Sequence, residues 1–175
     1  GQSQDTESYA AFAQGDWLIS DNWTITAGIR YTYEEKDFTG GDGIVYTPAP
    51  GDPAQNFPTR DFKDDWSETT GKLGFRYTMS DDIMLFGSWS EGFKSGGFFG
   101  RQANFDLDPT YEPEYVTNWE LGMKSEWLDG RMTFNPTVFF NDYEDKQEDI
   151  LIPIDLTNVA TAIRNAGTLE IFGVE

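Results

Sequence analysis

The sequence predicts an all-β protein, specifically an antiparallel transmembrane β-barrel to which this chain contributes about seven strands. Three observations favour this fold class: apolar and polar residues alternate along several segments, the connections between those segments are short and long in turn, and tryptophans occur at two levels. Alternation is clearest in residues 23–34, where Trp, Ile, Ala and Tyr fall on one face and Thr, Gly, Arg and Glu on the other. A period of two indicates a β-strand, and this one exceeds the roughly 5–6 residues usual in soluble proteins.

Six more segments carry the same pattern. Three alternate clearly, at 72–79, 118–127 and 131–141, and three are less regular, at 9–19, 83–94 and 166–175. Pro136 is the exception within this pattern. Because proline has no N–H for the ladder, it belongs on an edge strand or at a bulge, and the neighbouring sequence does not explain it.

The connections between these segments alternate in length. The short ones are Ser20-Asp21-Asn22, Ser80-Asp81-Asp82 and Asp129-Gly130, and the long ones are residues 36–66, 95–115 and 144–165. Asp-Gly is the strongest two-residue signal for a hairpin turn. Outer-membrane barrels have short periplasmic turns and longer extracellular loops, whereas a soluble sandwich has no reason to keep every second connection tight.

The tryptophans fit the same arrangement. Trp17, Trp23 and Trp127 lie close to short turns, and Trp89 and Trp119 lie toward the long connections. Tryptophan prefers the two interfaces of a membrane, so these residues predict two aromatic belts. Large aromatics would also fill the core of a soluble sandwich, but the alternating connections favour the membrane interpretation.

Composition excludes several functions. The chain has 175 residues, no Cys and no His, which excludes disulfides, Cys-based zinc sites and nucleophilic mechanisms that need either residue. We therefore predict no enzymatic activity, no cofactor and no metal site. A net charge of −19 argues against a nucleic-acid partner. The mean hydropathy of −0.56 is typical of soluble proteins, but in a barrel only alternate residues face lipid.

The polar face of the strands predicts a wide barrel. It carries charged residues that a small, filled barrel would not tolerate, namely Arg30, Arg76, Glu120, Lys124, Glu126 and Arg131. A wet or plugged lumen needs more than seven strands, and an open sheet in lipid would leave backbone groups unpaired. We therefore expect the chain to be part of a larger barrel. Ile25, Ala27 and Ile29 are predicted to face lipid, and Thr26, Gly28 and Arg30 the lumen.

Several stretches resemble the barrel of TonB-dependent receptors. They are Tyr-Ala-Ala-Phe-Ala-Gln at 9–14, Trp-Thr-Ile-Thr-Ala-Gly-Ile-Arg-Tyr at 23–31, Gly-Phe-Lys-Ser-Gly-Gly at 92–97, Asn-Trp-Glu-Leu-Gly at 118–122, and the run from Asn-Ala-Gly at 165–167 to Gly-Val-Glu at 173–175. The resemblance implies a 22-stranded barrel in the outer membrane of a Gram-negative bacterium, plugged by an N-terminal domain. Residues 1–175 would be part of that one barrel domain, with the plug and the terminal strands outside it.

The same resemblance implies the partners. They would be outer-membrane lipid and lipopolysaccharide, a small-molecule ligand, and TonB through an N-terminal region outside these residues. The ligand implied is a scarce nutrient, by default a ferric siderophore or a similar chelate. Two alternatives stay open at this point: a soluble all-β glycan-binding module, suggested by the negative hydropathy and acidic surface, and a porin that lacks a plug.

Candidate ligand contacts lie at the bases of the long connections, because aromatic and cationic groups there suit a siderophore-like or glycan-like ligand. They are Trp66, Phe93, Lys94, Phe99, Arg101 and Tyr111.

The glycine-rich segment 92–97 lacks the spacing of a phosphate-binding loop. The acidic clusters at 61–65 and 144–149 lack an EF-hand pattern and are interpreted as solvated loop charge. Because an acidic mouth repels anions, we expect a ligand that is neutral, cationic or bulky and aromatic-binding, or acids masked by divalent ions.

Overall fold

The computed structural model describes residues 2–41, 59–100, 109–153 and 159–175. Their regular structure is β-sheet, and within these ranges no helix is long and apolar enough to cross a membrane. The strands are β1 (Ser3–Ser20), β2 (Trp23–Gly41), β3 (Thr59–Ser80), β4 (Ile83–Lys94), β5 (Gly97–Phe98), β6 (Thr110–Tyr111), β7 (Glu114–Trp127), β8 (Met132–Thr133), β9 (Thr137–Glu144), β10 (Gln147–Pro153), β11 (Val159–Asn165) and β12 (Leu169–Val174).

Seven strands form one continuous path, in the order β1-β2-β3-β4-β7-β9-β12. Every neighbouring pair on that path is antiparallel. These are the strands that the sequence predicted, so the antiparallel fold is confirmed. Within the described ranges, neither β1 nor β12 has a second neighbour in this sheet.

Two of the tight turns are built in the same way. Asp21 and Asn22 connect β1 to β2, and the Asn22 N–H donates to the Ser20 hydroxyl oxygen at 3.4 Å. The turn from β3 to β4 repeats this with Ser80, whose hydroxyl oxygen lies 3.3 Å from the Asp82 nitrogen. A serine hydroxyl that accepts from the amide two residues later stabilises a reversal locally.

The third tight turn is centred on Asp129 and Gly130, as predicted. Both have positive φ, of 59° and 78°, and the Arg131 N–H donates to the Leu128 carbonyl at 3.4 Å. Leu128 before them also has a positive φ, of 58°, so three left-handed residues in a row reverse the chain between Trp127 and Met132. Of the three, only Gly130 adopts this conformation without strain.

The predicted long connections were partly wrong. β2 continues to Gly41 and β3 begins at Thr59, so residues 36–41 and 59–66 of the proposed loop 36–66 are paired backbone. The other two connections contain the short pairs β5–β6 and β10–β11. The error has a physical cause: apolar alternation ends where strands leave the hydrocarbon, but backbone hydrogen bonding does not depend on it.

Pro136 lies where the predicted strand 131–141 is divided into β8 and β9. The register against β7 is the same on both sides of the break, with Glu126 opposite Thr133 and Gly122 opposite Thr137. The Pro136 carbonyl accepts from the Met123 N–H at 3.0 Å, but proline has no N–H to return. The proline therefore removes one ladder bond without shifting the strand.

Cross-strand register assembles the outward-facing residues into continuous apolar rows. One row crosses the whole sheet through Trp17, Ile25, Phe75, Gly87, Leu121, Val138 and Val174. The opposite face of the same strands carries polar groups such as Thr26, whose hydroxyl donates to the Asp16 carboxylate at 2.6 Å. Leu73 and Leu121 on the apolar face are each 53% exposed, which suits side chains that contact lipid. We take residues 23–33 of β2 and 119–127 of β7 as the parts at bilayer depth.

The face assignment makes a testable prediction at two adjacent residues. Ala27→Arg would place a charge on the apolar face, opposite Gly15 and Leu73, and should destabilise the full-length protein by about 2–4 kcal/mol. Thr26→Arg should cost much less, because the new side chain faces Asp16. Urea unfolding of the protein folded into lipid vesicles measures both, and equal costs would contradict the assignment.

Candidate functional site

Four aromatic rings gather on the lumen-facing side of β2 and β3, above bilayer depth. Phe38 stacks on Phe98 with ring centroids 5.8 Å apart, Trp66 lies 6.1 Å from Phe98, and Phe62 lies 5.9 Å from it. Phe38, Trp66 and Phe98 are each less than 8% exposed. We call Phe38, Phe62, Trp66 and Phe98 the aromatic anchor, because it fixes residues 95–100, the strap, against the inner wall.

Lys36 holds the other end of the strap. Its ammonium donates to the Ser95 hydroxyl at 2.8 Å and to the Gly96 carbonyl at 2.6 Å. It also forms an ion pair with Glu34 at 3.0 Å and lies 5.5 Å from the ring centroid of Trp66. Ser95 in turn donates to the Glu34 carboxylate. One cation therefore contacts the wall, the strap and the aromatic anchor.

The two glycines of the strap are required by close packing. A Cβ on Gly96 would lie 2.5 Å from the indole of Trp66 and 2.5 Å from the carbonyl oxygen of Tyr111. A Cβ on Gly97 would lie 2.6 Å from the Tyr111 hydroxyl oxygen. The backbone carbonyl leaves no room for a side chain on Gly96, whereas a side chain on Gly97 would displace the end of the Tyr111 side chain. The Ser-Gly-Gly of the sequence motif therefore lets the strap lie between Trp66 and Tyr111.

The electrostatics of the site favour its present hydrogen bonds. Burial alone would raise the pKa of Glu34, but the hydrogen bonds from Ser95 and Lys36 and the charge of Lys36 outweigh it and lower the pKa. Burial and the hydrogen bond to Glu68, 2.5 Å from its hydroxyl, raise the pKa of Tyr115 to about 12. Glu34 thus stays ionised and Tyr115 stays neutral at physiological pH.

The six predicted ligand contacts occupy three different environments. Trp66 and Phe99 are buried, and Tyr111 is half-buried opposite Gly97 in β5–β6. Phe93 and Lys94 end β4 and pair with Tyr115 and Glu114 of β7. Arg101 lies outside the described residues.

The structure brings Trp66 and Tyr111 together, with Gly96 between them. Phe93 instead lies on the outward face of β4, on the same side as Trp89 and four residues after it. These placements leave the six residues as predictions, with Tyr111 the one closest to the strap and still partly accessible.

Sequence reasoning missed Lys36, Phe38, Phe62 and Phe98. For Lys36, Phe38 and Phe62 the available signal was their position on the even-numbered, lumen-facing side of extended strands β2 and β3, where Phe38 pairs with Phe62. Phe98 lies on β5 and carries no such signal. Because residues 36–66 were predicted to be a loop, the lumen-facing positions of β2 and β3 above bilayer depth were not predicted. Within the ranges that the structure describes, no three acidic residues converge in a way that could hold a metal ion.

The family model described as "TonB dependent receptor-like, beta-barrel" matches residues 1–175. The chain belongs to the TonB-dependent receptor family. This places it in the outer membrane of a Gram-negative bacterium, as part of a barrel. The soluble glycan-binding module and the porin without a plug are thereby set aside.

Named relatives agree with the family. The chain is 26% identical over 170 residues to the pesticin receptor of Yersinia enterocolitica, covering 97% of this chain and 23% of that protein. It is 22% identical over 143 residues to the ferric-pyoverdine M114 receptor PbuA of Pseudomonas sp., covering 82% of this chain and 16% of that protein. The chain thus spans less than a quarter of the curated relatives that it matches.

A solved structure shows the same fold. The ferric yersiniabactin uptake receptor FyuA of Yersinia pestis superposes with a TM-score of 0.75 at 21% identity, over 99% of this chain and 24% of that one. The chain therefore has the fold of about a quarter of that receptor.

Gly96→Ala is predicted to displace the strap. The added methyl group would overlap Trp66 and the Tyr111 carbonyl, and overpacking of this kind costs about 1–3 kcal/mol. The local opening free energy of residues 95–100, measured by amide exchange on the full-length protein, should fall by that amount. Gly92→Ala is the matched control, because its methyl would meet a single Val116 methyl at 3.2 Å. Equal effects of the two substitutions would contradict the packing argument.

Acidification is predicted to loosen the strap. Because the pKa of Glu34 is lowered in the folded state, its contribution to stability is complete above its ordinary value of 4.5 and is lost as pH falls through the lowered one. Exchange of the strap amides, corrected for intrinsic rates, should be level from neutral pH to 4.5 and accelerate below it. Glu34→Gln should abolish this step, and an unchanged step in that variant would refute the assignment.

Proposed function

We propose that the chain is part of the barrel of a TonB-dependent importer that takes up a ferric siderophore or a similar small chelate. Membership of the receptor family carries the proposal. It is supported by relatives named for iron chelates, the ferric-pyoverdine receptor and the ferric yersiniabactin uptake receptor. In this proposal residues 1–175 form part of a single barrel domain, TonB acts through an N-terminal region, and the wall itself performs no chemistry.

The fold alone does not determine the cargo. The copper transporter OprC shares the fold at a TM-score of 0.69 and 14% identity, so cargo must be argued from the lumen and the mouth. Of the six predicted ligand contacts, Tyr111 is half-buried and Lys94 is exposed, whereas Trp66 and Phe99 are buried. Aromatic faces and a few polar groups suit a compact chelate with aromatic parts.

Charge is distributed unevenly along the lumen. At bilayer depth, the lumen-facing positions of β1–β4 and β7 carry the cations Arg30, Lys72, Arg76 and Lys124 and the acids Asp16, Glu120 and Glu126. This near balance contrasts with the net charge of −19 for the chain. The excess acids therefore lie mainly above the membrane, so repulsion of an anionic ligand would act at the mouth and not along the wall.

Energy-dependent uptake is the direct test of the proposed function. Cells that produce the whole receptor should accumulate radioactive iron from one or more ferric chelates, and deletion of TonB should abolish accumulation but leave binding at the cell surface. A receptor that binds no ferric hydroxamate, catecholate or phenolate chelate would contradict the proposal.

Salt dependence tests the class of chelate. Because an acidic mouth repels anions over about a Debye length, roughly 8 Å at physiological salt, the affinity for an anionic ferric chelate should rise as salt screens the mouth. The affinity for a neutral chelate, measured in parallel, should change little. An anionic chelate whose affinity fell with salt would show net attraction and overturn the charge argument.

A further inference from the structure

Two outer segments, far apart in sequence, lie side by side above the sheet. One is the strap with the pair β5–β6, and the other is the hairpin formed by β10 and β11. β5 and β6 have two residues each, and a two-stranded ladder is at best marginally stable alone. The aromatic anchor supports β5–β6 from the wall. A second support comes from the base of the hairpin, where Gln147 and Asn165 are register partners.

Asn165 uses its whole side-chain amide at this junction. Its Nδ2 donates to the carbonyl oxygens of Glu112 at 2.8 Å, Pro113 at 3.1 Å and Asp145 at 2.8 Å. Its Oδ1 accepts from the Glu112 N–H at 2.8 Å. An amide has two N–H donors and one carbonyl acceptor, so both ends of this group are engaged. Three of the four contacts reach across to the segment that follows β6.

Gln147 makes the corresponding contact with the strap. Its Nε2 donates to the carbonyl oxygens of Ser95 and Glu112, each at 3.0 Å. Its backbone N–H donates to the Glu114 carboxylate at 2.9 Å. Ser95 is the residue whose hydroxyl accepts from Lys36. The chain of contacts therefore runs from the wall through Lys36 and the strap to the hairpin.

We propose that Gln147 and Asn165 are positioning residues that join the hairpin to β5–β6, so that the two outer segments behave as one body. Their shared task is to hold Tyr111 against Gly97 at the mouth. Both side chains are neutral amides that donate to backbone carbonyls, so these side-chain contacts carry no charge, whereas the Gln147 backbone N–H is bonded to the Glu114 carboxylate. The inference deepens the proposed function and rests on it, because Tyr111 is one of the proposed ligand contacts there.

Amide exchange on the full-length receptor, without ligand, tests this joint. Gln147→Met removes both donors at similar length, whereas Gln147→Lys keeps a donor that can reach the same carbonyls. Asn165→Leu removes the second amide. The amides of residues 95–100 and 110–112 should exchange at least about tenfold faster in Gln147→Met and Asn165→Leu. Gln147→Lys should restore near wild-type exchange. Gln14→Met, which removes an exposed amide of β1 opposite Gly28 at bilayer depth, should have no effect on these residues.

Two results would overturn the inference. One is unchanged exchange at residues 95–100 and 110–112 while exchange within β10 and β11 rises, since the side-chain amides of Gln147 and Asn165 would then stabilise the hairpin alone. The other is a Gln147→Lys variant as fast as Gln147→Met. If the Asn165→Leu variant fails to assemble into the membrane, the comparison of Gln147→Met with Gln147→Lys still tests the joint. No chelate enters the measurement, so a receptor that binds none would remove the proposed function and leave the joint standing.

Discussion

The structure depends on one constraint: backbone N–H and C=O groups in hydrocarbon have no water to bond and must pair with one another. This requirement explains the long strands, such as the 19 residues of β2 and the 22 of β3. It also explains the tight turns on the periplasmic side, which leave few backbone groups unpaired. It further explains why Pro136 does not shift the register. The loss of one hydrogen bond costs less free energy than a shift that would break the pairing along the rest of the strand. The same constraint requires that the outer edges of β1 and β12 be paired in the whole barrel.

The fold could be predicted wherever lipid imposes a pattern. At bilayer depth one face must be apolar, so the alternation in residues 23–34 predicts a strand. Asp129-Gly130 predicts a turn, because these residue types accept the positive φ that the turn needs. Above the membrane both faces are wet, and the residues from Lys36 to Gly41 pair with β3 without any apolar period. The sequence marks that extension only by the even-numbered positions of Phe38, Phe62 and Trp66, because hydrogen bonding between backbones requires no particular side chain.

The site was predictable in residue type but not in arrangement. Trp66 and Phe99 stood out as large aromatics near loop bases, yet both are buried, Trp66 within an anchor that forms only when β2 and β3 extend upward together. Gln147 was indistinguishable from any solvated loop amide, because its carbonyl partners lie 52 and 35 residues away. The glycines at 96 and 97 belong to a stretch that resembles the family. Why glycine is needed there, namely the lack of space beside Trp66 and Tyr111, can be seen only from the packing of the folded chain.

Pairing at the free edge of β1 tests the account most directly. In an antiparallel strand, successive N–H groups point alternately to the two neighbours, and the described sheet supplies β1 with a neighbour only at β2. Residue-resolved amide exchange on the full-length protein in a bilayer should show every amide of residues 9–18 protected, including those directed away from β2. Fast exchange at alternate residues would mean an open edge and would contradict the assignment of this chain to a closed barrel.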